Sequence, residues 1–349
     1  MRVAHFCRFS PHKSGQYETV KDLIKAERAV GIDAGILATL EKPMPGPPGQ
    51  PGNMIMPGLQ DEWLISQTQQ WAADADVLIR HTVIPPDMEA WGKPTVMALH
   101  GRPENSWELG HLNRIAVYAL IESESIKNQY KKFICFWEDF IYHWGLVVDP
   151  AKLEYIPAPV DLEKYNPAGK STQYGEQSGS PNIIVADFWR EDTSPYNAIH
   201  AAGYFKKYFS PEAKLQIYGL DLPPVGPTTH LMTFLHKHGI TGRLHDRVPN
   251  LNEAFRGGDL LITPHVIATR IIREAMACGL PVVAGGGCKY TPYTADPRNI
   301  REYATAINGC WKAIQSNREA IRAKTRKTAE KEFDLKVTGE AMKKLLEAL

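Results

Sequence analysis

The sequence is poor in cysteine and lacks long apolar runs. Its five cysteines are odd in number, widely spaced and form no Cys-x-x-Cys pair, so they predict neither a disulfide framework nor a zinc site. No apolar run approaches the roughly 18 residues of a membrane-spanning helix. The first ten residues lack the apolar core of a secretory signal. These absences predict a cytoplasmic protein with buried, reduced thiols and no membrane span.

No charge of one sign dominates either. The 40 Lys and Arg residues against 39 Asp and Glu residues leave a formal net charge of +1. A nearly neutral chain has no general attraction for nucleic acid, although a local basic patch could still bind one.

Length and patterning predict two domains of the α/β class. The 349 residues exceed one ordinary domain, and 43% of them are hydrophobic. Short apolar runs alternate with helical patterns twice along the chain, once in each half. This alternation predicts two doubly wound, Rossmann-like parallel sheets, with the ligand site in a cleft that they face.

The most informative segment runs from 260 to 287. A buried strand is followed by a short loop, by a helix that begins after the N-cap residue Thr269, and by a second strand. N–H groups at a helix start attract phosphate, and Arg270 adds a positive charge. Glu274 lies one turn further on the same face, where its carboxylate can accept hydrogen bonds from two ribose hydroxyls. The alternative is a purely structural unit with a solvated glutamate.

Two segments carry a family resemblance. Glu274–Ala284, EAMACGLPVVA, resembles a characteristic segment of retaining GT-B glycosyltransferases of the group 1 type, which includes glycogen synthases and bacterial mannosyltransferases. Tyr155–Pro167, YIPAPVDLEKYNP, is similar to the interdomain segment of the same group. The two segments stand in the family's order.

The resemblance implies a domain layout and an activity. Residues 1–157 would form an acceptor-side domain, residues 158–332 would bind the nucleotide sugar, and a helix over 333–349 would pack back on the first domain. The activity implied is transfer of a hexosyl or pentosyl group from a nucleotide-diphosphate sugar, with a UDP-sugar favoured, to an acceptor hydroxyl with retention of configuration. The acceptor would be a small molecule, a glycan or a modified base in DNA. No metal is implied, because helix dipoles and basic residues would neutralise the leaving diphosphate.

The resemblance also implies site residues in the second domain. The donor-binding residues that it implies there are Arg190, His265, Thr269, Arg270 and Glu274, and Gly15 of the first domain joins them. Arg190 takes the arginine position of the family's basic pair, although it could instead form a surface ion pair, and the family's lysine is missing. The family's glutamate eight positions before the ribose glutamate is replaced by Val266. His265 would take over part of the contact with the donor sugar.

In the first domain, His100 is the predicted catalytic residue. It follows a predicted strand at a family position that reaches the transferred sugar, where an imidazole can hydrogen-bond a hydroxyl or stabilise developing charge. The alternative is an ordinary loop histidine. Gly15 resembles the family's glycine-rich turn near the donor phosphate. Arg8, His12 and Lys13 precede it and would either bind an anionic acceptor or be solvated.

Three further patterns carry less weight. Asp74-Ala-Asp76 spells the Asp-x-Asp of metal-dependent transferases of another fold, but it precedes a strand without donor-site context and predicts solvated carboxylates. The aromatic residues between 133 and 144 are predicted to be mostly core. The segment 43–58, rich in proline and glycine, predicts a surface loop or a flap beside an active site.

Two other functions stay open on the sequence. Val266 and the missing lysine are compatible with a protein that binds a nucleotide sugar without transferring it. The basic residues Arg8, Lys13 and Arg102 are compatible with a phage-type glycosyltransferase that acts on a hydroxymethylated base in DNA, which steeply salt-dependent DNA binding would reveal. An epimerase or phosphorylase of the same fold fits the two matched segments less well.

Overall fold

A computed structural model describes most of the chain. The described residues are 1–9, 15–40, 69–81, 92–101, 103, 123–174, 180–186, 196–218, 233, 237, 242–245, 248 and 250–349. The described strands are β1 Arg2–Phe9, β2 Asp33–Leu40, β3 Val77–Arg80, β4 Thr95–Leu99, β5 Lys132–Cys135, β6 Leu153–Tyr155, β7 Asn182–Ala186, β8 Lys214–Tyr218, β9 Gly242–His245, β10 Leu260–Ile262, β11 Val282–Gly285 and β12 Thr294–Ala295. The described α-helices are α1 Gly15–Ala29, α2 Gln69–Ala73, α3 Glu124–Gln129, α4 Glu138–Trp144, α5 Tyr196–Tyr208, α6 Leu251–Gly257, α7 Arg270–Ala277, α8 Ile300–Phe333 and α9 Leu335–Glu347.

The chain divides into two compact units. The first comprises Met1–Pro159 together with Phe333–Leu349, and the second comprises Val160–Glu332. The C-terminal helix α9 therefore belongs to the same unit as α1, against which it packs.

Each unit contains one parallel six-stranded sheet. The order in the first unit is β2-β1-β3-β4-β5-β6, and the order in the second is β12-β11-β10-β7-β8-β9. Every strand pairing in both sheets is parallel. Parallel strands require crossover connections, and α-helices supply several of them here. The predicted α/β class with two Rossmann-like sheets is confirmed.

The strand sequences explain the burial of the sheets. All side chains of β3, β4, β10 and β11 are buried, as expected for strands covered on both faces. In the second unit, α5 and α8 pack on one core with the strands. In the first unit, Met342, Leu345 and Leu346 of α9 complete a core that includes Val20 and Leu23 of α1.

One predicted helix is shorter than its pattern. The sequence predicts a helix over Ser106–Lys131, whereas the described part of it is helical over Glu124–Gln129 only. Tyr130 has extended backbone and a buried side chain, and the N–H of Lys131 donates to the carbonyl of Thr95. The chain must leave the helix early because it is already joining the sheet at β5.

All five cysteines are buried and unpaired, as the sequence predicts. Burial raises the pKa of the thiols of Cys135 and Cys278 to about 12, so both stay protonated and unreactive near neutral pH. Among the described residues, no helix is both long and apolar enough to cross a membrane.

Candidate active site

The sheet orders identify where ligands bind. In the first sheet, β1 has β2 on one side and β3 on the other, and in the second sheet β7 lies between β8 and β10. At such a switch point, the connections leave the carboxyl ends of adjacent strands in opposite directions and open a crevice. The segments that follow β1, β3, β7 and β10 are therefore the expected binding segments.

The segment after β10 forms the start of α7. Thr269 is the N-cap residue, but its side chain makes no capping hydrogen bond. Its Oγ1 is buried and has no hydrogen-bond partner among the described residues. The first N–H groups of a helix have no partner within the helix. This combination of an unpartnered hydroxyl with helix N–H donors suits an anionic oxygen ligand.

Arg270 and Glu274 lie on one face of α7, as their spacing predicts. The Nε atom of Arg270 lies 2.6 Å from Oε1 of Glu274, and the side chain of Glu274 is 4% exposed. The structure thus brings together the residues that the sequence assigns to the diphosphate and to the ribose. A guanidinium has five N–H donors, so Arg270 can bond a carboxylate and a phosphate at the same time.

The loop between β10 and α7 is held tightly against β11. The N–H of Gly285 donates to the carbonyl of His265 at 2.8 Å. A Cβ atom on Gly285 would lie 2.3 Å from the carbonyl oxygen of Pro264. Glycine is therefore required at 285 by the chain's own packing, and this contact accounts for the start of the glycine run. His265 is buried, whereas Val266 is partly exposed beside it.

Sequence reasoning missed Tyr303, which joins the end of β10 to the interior of β11. Its hydroxyl donates to the carbonyls of Thr263 and Val283, at 2.7 and 2.8 Å, in alternative or shared bonds, and accepts from the N–H of Thr263. Burial raises the pKa of Tyr303 strongly, which keeps this donor protonated. A lone tyrosine in a helical pattern gives no signal for this role.

Two arginines of α8 bind the carboxyl end of α7, which is the end opposite Thr269. Arg326 donates to the carbonyls of Ala277 and Tyr165, at 2.6 and 2.7 Å. Arg322 donates to the carbonyls of Gly258 and Cys278. The bonds to Ala277 and Cys278 satisfy carbonyls at the end of α7, where a helix has unpaired acceptors and attracts cations.

Several predicted site residues lie outside the described residues. They are Arg190, His12, Lys13 and Arg102, together with the segment 43–58 and the segment around Ser194 and Pro195. Gly15 is described and is the first residue of α1. Its neighbour Gln16 donates through Nε2 to the carbonyl of His81, at 2.9 Å.

His100 is one end of a hydrogen-bonded array within the first unit. Its Nε2 lies 2.8 Å from Nδ1 of His81, and Nε2 of His81 lies 3.0 Å from Nδ1 of His5. Nε2 of His5 lies 2.7 Å from Oε2 of Glu27. The array joins β1 and α1 to the segments that follow β3 and β4, at the switch point of the first sheet.

The array is desolvated along most of its length. His5, Glu27 and His81 are fully buried, and His100 is partly buried. The pKa of His81 is lowered well below its usual value, first by burial and then by the charges of His100 and His5. His81 is therefore neutral near pH 7.

The segment around His100 is held by the aromatic residues between 133 and 144. The ring of Phe136 lies 4.9 Å from that of His100, and Nε1 of Trp144 donates to the carbonyl of Gly101. Phe133, Phe136, Phe140 and Trp144 are buried, whereas Tyr142 is 77% exposed. The prediction that this group is mostly core is confirmed.

The carboxylates of Asp74 and Asp76 have local partners. Asp74 accepts from Gln70, and Asp76 accepts from the backbone N–H of Arg2. In the described part of the chain, no three His, Cys, Asp or Glu side chains form a group that could hold a metal ion.

Solved structures share this architecture. No protein-family model and no curated protein matches the sequence. HepE of Anabaena in complex with UDP-glucose matches over 100% of both chains, at 15% identity and a TM-score of 0.67. The chain has the GT-B fold. A glycosyltransferase from Rickettsia africae matches over 99% of this chain and 98% of its own, at 15% identity and a TM-score of 0.69.

A third GT-B structure agrees with these two. WaaG, a glycosyltransferase involved in lipopolysaccharide biosynthesis, matches over 99% of both chains at 15% identity and a TM-score of 0.64. The GT-B fold was predicted from the segments at 155–167 and 274–284, and the match over the whole chain confirms it.

Proposed function

We propose that this chain is a retaining glycosyltransferase that moves a sugar from a nucleotide-diphosphate sugar, with UDP-sugar favoured, to an acceptor hydroxyl. The observation that carries the proposal is the start of α7, where a buried carboxylate and a guanidinium lie beside helix N–H groups and a threonine hydroxyl that has no partner among the described residues. HepE, which has this fold, was crystallised with such a donor, UDP-glucose. The five free, buried thiols suit a cytoplasmic site of action.

Each residue has a proposed task. Glu274 accepts hydrogen bonds from the ribose hydroxyls, while Thr269 and Arg270, joined by Arg190, neutralise the diphosphate. His265 contacts the donor sugar in place of the carboxylate that Val266 replaces.

His100 hydrogen-bonds the transferred sugar near the reacting carbon. The acceptor oxygen attacks the anomeric carbon on the face that the diphosphate leaves, the bond from that carbon to the phosphate oxygen breaks, and the leaving phosphate oxygen takes the acceptor's proton. Retention follows from this same-face geometry.

Nucleotide binding tests the donor site. Thermal unfolding is measured with UDP, GDP, ADP and their sugar conjugates. A ligand at 100 times its dissociation constant adds about 2.7 kcal/mol of stability, and each kcal/mol shifts the midpoint by roughly 2–4 °C in a chain of this size. We expect a shift of several degrees with one nucleotide family, its loss in Glu274→Ala, and its retention in the control Glu302→Gln, whose side chain is exposed on α8. The absence of any shift with the wild-type chain would contradict the proposal.

Turnover tests the reaction. With the nucleotide that binds, release of nucleoside diphosphate is followed against sugar and glycan acceptors and DNA containing a hydroxymethylated base, with and without a metal chelator. The product should keep the donor's anomeric configuration, and activity should persist with chelator. An inverted product would contradict the retaining mechanism.

The second candidate is a nucleotide-sugar-binding protein without transfer activity. The observation that favours it is Val266, which places a partly exposed apolar side chain where the family has a carboxylate. A thermal shift with a nucleotide sugar but no turnover with any acceptor would favour this candidate.

A further inference from the structure

The array Glu27–His5–His81–His100 consists of one carboxylate and three imidazoles from separate elements. Its three contacts measure 2.7, 3.0 and 2.8 Å, all within hydrogen-bond distance. Every contact therefore contains one proton, carried by one of its two atoms. The proposed catalytic role uses His100 only, so the other three side chains need their own explanation.

The protons of such an array are interdependent. A neutral imidazole donates at one nitrogen and accepts at the other, so the direction of one hydrogen bond determines the direction of the next. If Nδ1 of His5 accepts, then His81 and His100 both carry their protons on Nε2. If Nδ1 of His5 donates, then both carry them on Nδ1.

The surroundings of Glu27 select one direction. Both carboxylate oxygens are buried, and Oε1 has no hydrogen-bond partner among the described residues. A buried carboxylate whose charge is not compensated is costly by several kcal/mol. One additional proton on the pair of Glu27 and His5 cancels this charge: either Oε2 of Glu27 is protonated and donates to Nε2 of a neutral His5, or Glu27 is ionised and His5 is protonated at both nitrogens. Nδ1 of His5 then bears a proton and donates to Nε2 of His81.

The same direction continues to the end of the array. His81 accepts at Nε2, is neutral because burial depresses its pKa, and so donates through Nδ1 to Nε2 of His100. A neutral His100 that accepts at Nε2 carries its proton on Nδ1.

We propose that Glu27, His5 and His81 are positioning residues that hold His100 as the Nδ1–H tautomer. In this arrangement Nε2 of His100 accepts a hydrogen bond from Nδ1 of His81. In this form Nδ1 of His100 is a hydrogen-bond donor, the role that suits an oxygen acceptor such as a sugar hydroxyl or a phosphate oxygen. The use of this donor in catalysis rests on the proposed function, whereas the proton arrangement does not.

The tautomers are measured directly. The full chain is labelled with ¹⁵N at the histidine rings, and long-range ¹H–¹⁵N correlation spectra are recorded near pH 8 without any nucleotide sugar, with His81→Gln and His100→Asn used for assignment. We expect the Nδ1–H form for both His81 and His100, although free histidine favours Nε2–H. The Nε2–H form on either residue in the wild-type chain would overturn the proposal.

A variant tests the coupling along the array. Glu27→Leu removes the buried carboxylate, so we expect His100 to shift toward Nε2–H. Asp22→Asn is the control, because Asp22 is a buried carboxylate on the same helix outside the array, and it should leave both tautomers unchanged. A folded Glu27→Leu chain in which His100 keeps the wild-type tautomer would overturn the coupling. If that variant fails to fold, the tautomers of His81 and His100 in the wild-type chain are the test of the proposal.

The outcome is separable from that of the proposed function. If the chain has the Nδ1–H tautomers but no transferase activity, the proposed proton arrangement stands and the proposed function is contradicted. If the chain is active but His100 carries its proton on Nε2, only the proposed proton arrangement is contradicted. In an active enzyme, Glu27→Leu should lower kcat by about tenfold or more while leaving the donor KM nearly unchanged. A merely structural role would lower stability without moving the tautomer.

Discussion

Thr269 carries a buried hydroxyl that forms no hydrogen bond with the described residues, whereas most buried hydroxyls in proteins have a partner. Thr269→Val keeps the shape of the side chain and removes this group. We expect the free energy of unfolding to stay unchanged or to rise by up to about 1 kcal/mol, because no hydrogen bond with the described residues is lost. The dissociation constant for the bound nucleotide should rise about tenfold, the equivalent of one hydrogen bond of about 1.4 kcal/mol. Urea unfolding and calorimetric titration measure the two effects.

A second buried threonine provides the matched control. Oγ1 of Thr338 donates to the carbonyl of Pro157 at 2.8 Å, so Thr338→Val should lower the free energy of unfolding by about 1–3 kcal/mol. Equal losses of stability in the two variants would show that the hydroxyl of Thr269 serves the fold rather than a ligand.

The two candidate site regions differ in how far sequence could predict them. Thr269, Arg270 and Glu274 lie within six positions of one helix, where spacing alone fixes which side chains share a face. Glu27 and His81 are 22 and 76 residues from His5, and only the strand order of the sheet brings them together. A single histidine in an apolar strand predicts no such array.

At the level of elements, α9 packs against α1 through a glycine. A Cβ atom on Gly339 would lie 2.3 Å from the carbonyl oxygen of Ala26 and 2.9 Å from a methyl group of Val30. Gly339→Ala should therefore destabilise the first unit by about 1–3 kcal/mol, since overpacking outweighs the gain in helix propensity. Gly309→Ala is the control: nothing lies within 4 Å of its Cβ position, and it should stabilise α8 by about 0.5–1 kcal/mol. Thermal unfolding measures both, and a stabilising Gly339→Ala would contradict the described packing.

Tyr303 connects α8 to the end of β10 and to Val283 within β11. Tyr303→Phe leaves the carbonyls of Thr263 and Val283 without this donor, and we expect a loss of about 1–3 kcal/mol in the free energy of unfolding. Nucleotide affinity should fall with it, because these strands support the loop before α7. Tyr142→Phe, at a side chain that is 77% exposed, should change neither quantity. If Tyr303→Phe unfolds like the wild-type chain, the hydroxyl does not hold these strands.

The elements themselves were more predictable than their connections. The apolar runs Val77–Arg80, Thr95–Leu99 and Asn182–Ala186 predict strands, and the aromatic stretch Glu138–Trp144 predicts a short helix. The structure has β3, β4, β7 and α4 at these bounds. The early end of α3 was not predictable, since it depends on the pairing of β5 with β4 rather than on local propensity. Strand order and the arginine contacts of α8 likewise depend on distant parts of the chain.

The chain leaves the first unit after Pro159 and returns to it at Phe333. The second unit is thus an insertion between two parts of the first. The core of the first unit is complete only when α9 supplies Met342, Leu345 and Leu346. The second unit contains the whole start of α7 within its own residues.

Deleting residues 334–349 should therefore affect the two units unequally. Burial of each large apolar side chain contributes about 1.5–3 kcal/mol, so loss of the three from α9 costs about 5 kcal/mol or more, which is comparable with the whole stability of a domain. We expect the first unit to lose its cooperative unfolding transition while the second keeps its own and still binds the nucleotide.

Differential scanning calorimetry with and without the nucleotide measures both, and an unchanged transition of the first unit would show that α9 contributes little to its core. Loss of both transitions would contradict this prediction, because it would show that the second unit depends on the first for its stability.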